Sequence, residues 1–212
     1  ISARFAVSSR SRAHAAARLD RKFTPRLEPL ALSDAEMDAL AAEAAFVRTR
    51  ELLHCDMDAE ATAEWRAAYD ELPPSRQVQA VGLASRWGWH DQAIATAARQ
   101  KLFNDYDLLY PRPFDADVRG ASRRTGLPEE LIYAIIRQES LFRADAASGA
   151  GAIGLMQLLP ATAKDMGFDD VTGVEDNLAA GIKYMAWLRD NYFSDPQLPE
   201  AIKPRGWTDW GP

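Results

Sequence analysis

Glu139 is the residue of this chain best placed for acid–base chemistry. It closes the run Leu131-Ile132-Tyr133-Ala134-Ile135-Ile136-Arg137-Gln138-Glu139, in which Leu131, Ile135 and Ile136 precede it at helical spacing. Those side chains share a helix face with Glu139, so its carboxyl is expected to turn toward an apolar core. Poor solvation favours the neutral carboxylic acid and raises its pKa. An acid that keeps its proton near neutral pH can protonate a leaving oxygen. On position alone, a helix-end Glu hydrogen-bonded to the next loop is an equal reading.

Ser140 follows, and then a loop of small residues from Ala144 to Gly151 that lets backbone approach a ligand closely. Gly149, Gly151 and Gly154 spell G-x-G-x-x-G, but a dinucleotide fingerprint needs a strand before it and here a helix precedes. In Gly154-Leu155-Met156-Gln157-Leu158-Leu159-Pro160, which is expected to open a helix over 154–166, Gln157 is a lone polar residue. It reads either as core packing or as a polar wall beside Glu139. Asp145 is a second carboxylate that a hydrolytic mechanism could use, although loop capping is the favoured reading. His14, His54 and His90 are scattered and form no H-E-x-x-H pair, so neither a zinc site nor any other cofactor is expected.

Helices must carry these groups. Ser33 and Glu36 form a capping box, followed by Met37, Leu40, Ala44 and Val47 at helical spacing. A second helix is expected over 59–72, with Trp65, Ala68, Tyr69 and Leu72 on one stripe and Pro73-Pro74 as its stop. Ser75 is expected to cap a third that ends at Trp87-Gly88, and Asp91 to open a fourth through Leu102. Residues 103–115 carry two prolines and scattered aromatics and read as a linker. Beyond it, helices are expected over 128–141, 154–166 and 176–193. No period-2 strand is evident. The chain reads as all-α: an N-terminal array of short antiparallel helix pairs over 1–113, then a helical domain over 114–212. Trp65, Trp87 and Trp187 are expected in the core.

The 212 residues carry 25 Lys and Arg against 31 Asp and Glu, a net charge of −6, with 47% hydrophobic and 26% charged residues. That is a globular composition. The charge is uneven: residues 1–26 hold seven cations and one anion, and read as a solvated helix face. The acidic remainder argues against a nucleic-acid partner. Cys55, the lone cysteine, excludes an intrachain disulfide. No apolar run approaches the roughly 18 residues of a membrane span.

Three segments taken in order resemble the successive motifs of the soluble lytic transglycosylases, a lysozyme-like family acting on peptidoglycan. They are Glu139-Ser140, Gly154-Leu155-Met156-Gln157, and Asn177-Leu178-Ala179-Ala180-Gly181-Ile182-Lys183-Tyr184-Met185. The resemblance spans roughly residues 114–195, and the helical array before it resembles the superhelical region of the same family. It implies a lysozyme-like catalytic domain in which Glu139 is the sole acid and then base. Such an enzyme cleaves between N-acetylmuramic acid and N-acetylglucosamine and leaves a 1,6-anhydro end. The resemblance also places Ser140, Ser148, Gly154, Met156, Gln157, Asn177 and Tyr184 around the substrate. It implies glycan strands as the partner, a monomer, and a periplasmic address. One departure stands out. The family's Ala-Tyr-Asn-Ala-Gly segment has no counterpart in Leu198-Pro199-Glu200-Ala201-Ile202-Lys203-Pro204-Arg205-Gly206-Trp207, so weak or absent activity is expected of these 212 residues alone. The competing readings are a hydrolytic muramidase using Asp145, and a glycan-binding protein that does not cut.

Overall fold

The structure, a computed structural model, describes residues 28–193. The basic residues 1–26 and the segment 198–207 lie outside them. The described residues are helical and contain no strand. The chain divides into two compact units, Ile1–Pro111 and Arg112–Pro212.

In the first unit, α1 (Asp34–Ala41) starts at the expected box: the Glu36 N–H donates to Ser33 Oγ and the Ser33 N–H to Glu36 Oε2. The helix does not continue through Ala44 and Val47. The chain breaks at 42–43, and α2 (Ala44–His54) restarts with a shifted phase that buries Phe46 and Thr49 and leaves Val47 exposed. Helix α3 (Asp58–Glu71) buries Ala61, Trp65, Ala68 and Tyr69 on the expected stripe. Helix α4 (Pro74–Arg86) begins two residues earlier than expected. Pro73 is its N-cap residue in place of Ser75, because a proline at the first helical position needs no N–H partner and already has a helical φ. The Trp87-Gly88 ending holds, with Gly88 at φ +73°. Helix α5 spans His90–Arg99.

Three-residue links join α2 to α3 and α4 to α5, and each pair packs together. Links that short return the chain as antiparallel neighbours. Between them lies an aromatic core. Trp65 is 1% exposed and meets Phe46 at 5.2 Å and Trp89 at 5.5 Å, both edge to face. The stretch read as a linker holds one short helix, α6 (Tyr106–Leu109). Asp105, 5% exposed, caps it by accepting from the Leu108 N–H at 3.0 Å, and also accepts from the Leu30 N–H at 2.6 Å.

The second unit opens with a helix that the sequence reading missed, α7 (Asp115–Thr125), which ends at Gly126 in the left-handed region. Arg112 fastens its start. It pairs with Asp115 and Glu129 and lies 4.8 Å over the ring of Tyr133. Helix α8 (Glu129–Ser140) packs on α7 and carries Glu139. Of the helix expected over 154–166 only α9 (Pro160–Asp165) forms. Gly154 and Gln157 both have positive φ, which no right-handed helix can contain, so 154–159 is a tight turn instead. Helix α10 (Val174–Leu188) packs on α7 and α9 and runs into one π-helical turn, Arg189–Phe193. No helix among the described residues is long and apolar enough to cross a membrane.

Candidate active site

Glu139 lies in the last turn of α8, but its side chain is exposed and not turned into the core. The buried residues of α8 are Ile132, Tyr133, Ile136 and Ser140. At about 100° per residue their centre lies about 70° around the helix from Glu139. Leu131 and Ile135, which the sequence reading placed on the buried stripe, are half-buried. The apolar arc of this helix is wide, so spacing alone put its centre one residue off. Among the described residues no hydrogen bond or ion pair engages the Glu139 carboxyl, which also removes the loop-bonded alternative.

Ser140 is 8% exposed and donates its hydroxyl to the Ile136 carbonyl at 3.0 Å. That bond closes the end of the helix and leaves little of the side chain for a ligand. Leu141 (φ +52°) and Phe142 (φ +71°) then turn the chain sharply. The Phe142 ring is buried, and Leu141 remains 37% exposed. Nothing in the residue types announces two consecutive left-handed residues without a glycine, so the sequence reading missed this corner.

The loop beyond it is shaped by hydrogen bonds. The Ser148 N–H donates to the Ala152 carbonyl at 2.9 Å and its hydroxyl accepts from the Ala152 N–H at 3.0 Å. Ser148 thus closes an exposed turn. The Gln157 carboxamide donates to the carbonyls of Ala146 and Gly154, each at 3.0 Å, and so buckles the loop from inside. Asn177, 1% exposed on α10, is the anchor. Its Nδ2 donates to the carbonyls of Ile153 (2.9 Å) and Val171 (3.0 Å), and its Oδ1 accepts from the Met156 N–H (2.9 Å). Gly154 has φ +77°, and a Cβ there would overlap the Asn177 carboxamide. A Cβ on Gly181 would strike the Met156 side chain. Gly154, Met156, Gln157, Asn177 and Gly181 are therefore one packed unit, with Met156 6% exposed.

Tyr184 belongs to a different group. It stacks on Trp187 at 6.0 Å, and Tyr192 meets Trp187 edge-on at 5.6 Å. Trp187 is 42% exposed, contrary to the expected core position; the buried side of α10 is formed by Asn177, Leu178, Ala180, Gly181 and Ile182. Asp145 is paired with Arg143 through Arg143 Nη2 at 3.0 Å and Nε at 3.4 Å. No group of His, Cys, Asp and Glu suited to a metal ion occurs among the described residues. The glycine triplet follows a helix and not a strand.

Comparisons with known proteins agree with this architecture. Residues 39–106 match the soluble lytic murein transglycosylase L domain, and residues 118–201 the transglycosylase SLT domain. A soluble lytic murein transglycosylase of Salmonella typhimurium is 26% identical over 188 residues, covering 84% of this chain and 29% of that protein. A membrane-bound lytic murein transglycosylase F of Desulfosudis oleivorans is 40% identical over 82 residues, covering 38% of this chain and 18% of that protein. An inactive mutant of the lytic transglycosylase Slt from Pseudomonas aeruginosa superposes with a TM-score of 0.74 at 26% identity, covering 86% of this chain and 31% of that one. The chain thus spans about three tenths of the Salmonella and Pseudomonas relatives. An L domain followed by an SLT domain, on an all-helical fold shared with a solved relative, makes this chain a member of the soluble lytic murein transglycosylase family.

Proposed function

We propose that this chain cleaves the β-1,4 bond between N-acetylmuramic acid and N-acetylglucosamine in peptidoglycan without adding water. The observation that carries the reading is Glu139: a carboxyl at a helix end, open to a ligand and free of any ion pair among the described residues, beside a loop that Asn177 and Gln157 hold in shape. Glu139 gives its proton to the glycosidic oxygen as the bond to the muramyl C1 breaks. The substrate's own acetamido group stabilises the developing cation, so no second carboxylate is required. The muramyl C6 hydroxyl then closes on C1 and its proton passes to Glu139, which leaves a 1,6-anhydro end and restores the acid.

Helix α8 does not supply the dry surroundings that such an acid needs. The bound glycan does so by covering the exposed carboxyl and excluding water. Ser148, Met156 and Gln157 line the groove, Asn177 and Tyr184 support it, and Ser140 finishes the helix that presents Glu139. Residues 1–113 form the superhelical region and 114–212 the catalytic domain. Peptidoglycan as the substrate places the protein in the periplasm.

The test is digestion of isolated peptidoglycan by the 212-residue chain, with mass spectrometry of the products. Anhydromuramyl ends support the reading, reducing ends make the chain a hydrolase, and binding without cleavage makes it a glycan-binding module. Glu139→Gln should lower turnover by about 10²–10⁴-fold, the range for loss of a positioned acid–base group. Equal turnover in wild type and variant would remove Glu139 from the mechanism.

A further inference from the structure

Among the described residues Glu139 has no charged partner, although Arg143 stands four residues later. A Glu with a basic residue four positions on is the order in which a helix pairs the two. One more turn of α8 would bring Arg143 alongside Glu139. A guanidinium there holds a carboxylate in its charged form and opposes the proton-bearing state that a general acid needs.

Two features prevent the pair. The left-handed corner at Leu141 and Phe142 stops the helix, in a backbone region unfavourable for L side chains. Burial of the Phe142 ring anchors that corner, while Leu141 stays 37% exposed. The Arg143 N–H then donates to the Ser140 carbonyl at 3.2 Å, which keeps Arg143 within one turn of Glu139. Asp145 therefore matters. It takes the guanidinium on both carboxylate oxygens, at 3.0 and 3.4 Å, a two-pronged contact that fixes the direction of the Arg143 side chain. The other charges nearby do not substitute. Arg137 is two residues back, a spacing that does not face Glu139. Helix α7, which packs on α8, commits Asp115 and Arg119 to the Arg112–Glu129 cluster at the far end of α8.

We propose that Asp145 is a positioning residue: by holding Arg143 it keeps Glu139 unpaired and able to carry a proton. This rests on Glu139 being the acid. Both side chains of the Arg143–Asp145 pair are about half exposed, so the competition is between two surface ion pairs and its effect is modest.

The experiment measures kcat and KM on peptidoglycan with the 212-residue chain. Asp145→Asn should lower kcat about two- to fivefold with KM unchanged, the size an exposed ion pair supports. Arg143→Gln alone should leave both constants as they are. The double variant Arg143→Gln/Asp145→Asn should return to wild-type kcat, because no guanidinium remains to reach Glu139. An unchanged kcat in Asp145→Asn overturns the proposal. So does a double variant as slow as Asp145→Asn, which would make Asp145 a loop cap or a second carboxylate acting on its own. Absence of turnover in the wild type, which the missing counterpart of the Ala-Tyr-Asn-Ala-Gly segment would also explain, moves the test to a crystal structure of Asp145→Asn. There, an Arg143 guanidinium within about 4 Å of the Glu139 carboxyl supports the proposal, and one directed elsewhere overturns it.

Discussion

Trp65 and Asn177 are each 1% exposed and each is the hub of its own unit, yet they hold their neighbours by opposite means. Trp65 is ringed by Phe46, Trp87 and Trp89, and its indole N–H has no hydrogen-bond partner among the described residues. Asn177 commits its side chain to three backbone groups. An apolar hub stabilises through buried area, which is indifferent to direction. A polar hub places atoms, because hydrogen bonds weaken steeply with angle. The helical array needs only to be held together. The loop between α8 and α9 has no helix or strand to shape it and needs its backbone placed.

The contrast is tested most severely at the tryptophan. Trp65→Ala should cost about 3–5 kcal/mol of stability in urea unfolding, through lost area and a cavity. A cost below that of any Asn177 variant would contradict the assignment of the first unit to apolar burial. Next in size is Asn177→Asp, which loses two donated hydrogen bonds and sets a carboxylate against the carbonyls of Ile153 and Val171. It should cost about 3 kcal/mol and speed hydrogen exchange at the Met156 amide while leaving the first unit's amides protected.

Gly154→Ala narrows the question to one methyl group. It sets that methyl on the Asn177 carboxamide and forces an L residue to φ +77°. A loss of about 1–3 kcal/mol is expected by thermal denaturation. Gly149→Ala in the same loop meets nothing within 4 Å and should stay within about 0.5 kcal/mol of wild type. Equal effects at the two glycines would show that the loop is not anchored through Asn177.

The smallest effect lies in the first unit and depends on pH. The Ser33 backbone N–H, and then its hydroxyl, hold the Glu36 carboxyl below its usual pKa. A carboxyl lowered on folding adds stability above its unfolded pKa, and that stability fades as pH falls through the lowered value. Ser33→Ala should therefore lower the melting temperature slightly at pH 7, with the gap to wild type shrinking below about pH 4. A gap that widens in acid would mean that folding does not lower the Glu36 pKa through Ser33.

Much of the first unit was legible in the sequence. The Ser33–Glu36 box and the Trp65–Ala68–Tyr69 stripe rest on interactions between near neighbours in the chain, and such patterns carry over directly. The misses there have local causes as well: a helix that breaks at 42–43 and restarts in a new phase, and a proline that starts α4 when it was expected only to stop α3. In the second unit the motifs were visible but their geometry was not. Helix α7 went unseen, the helix expected from Gly154 is a turn, and Trp187 faces outward.

Residue types and their order were enough to establish the all-helical class and the family and to single out Glu139 as the carboxyl to test, because these follow from local spacing and from which side chains can carry a proton. Whether that carboxyl lies in the core or in the open was decided only by tertiary structure. It depends on which of several half-apolar faces α8 turns inward, and on a left-handed corner that diverts the next residues away. A buried asparagine on a helix far along the chain holds the loop that follows. Those are balances between distant surfaces, and no pattern within a single segment records them.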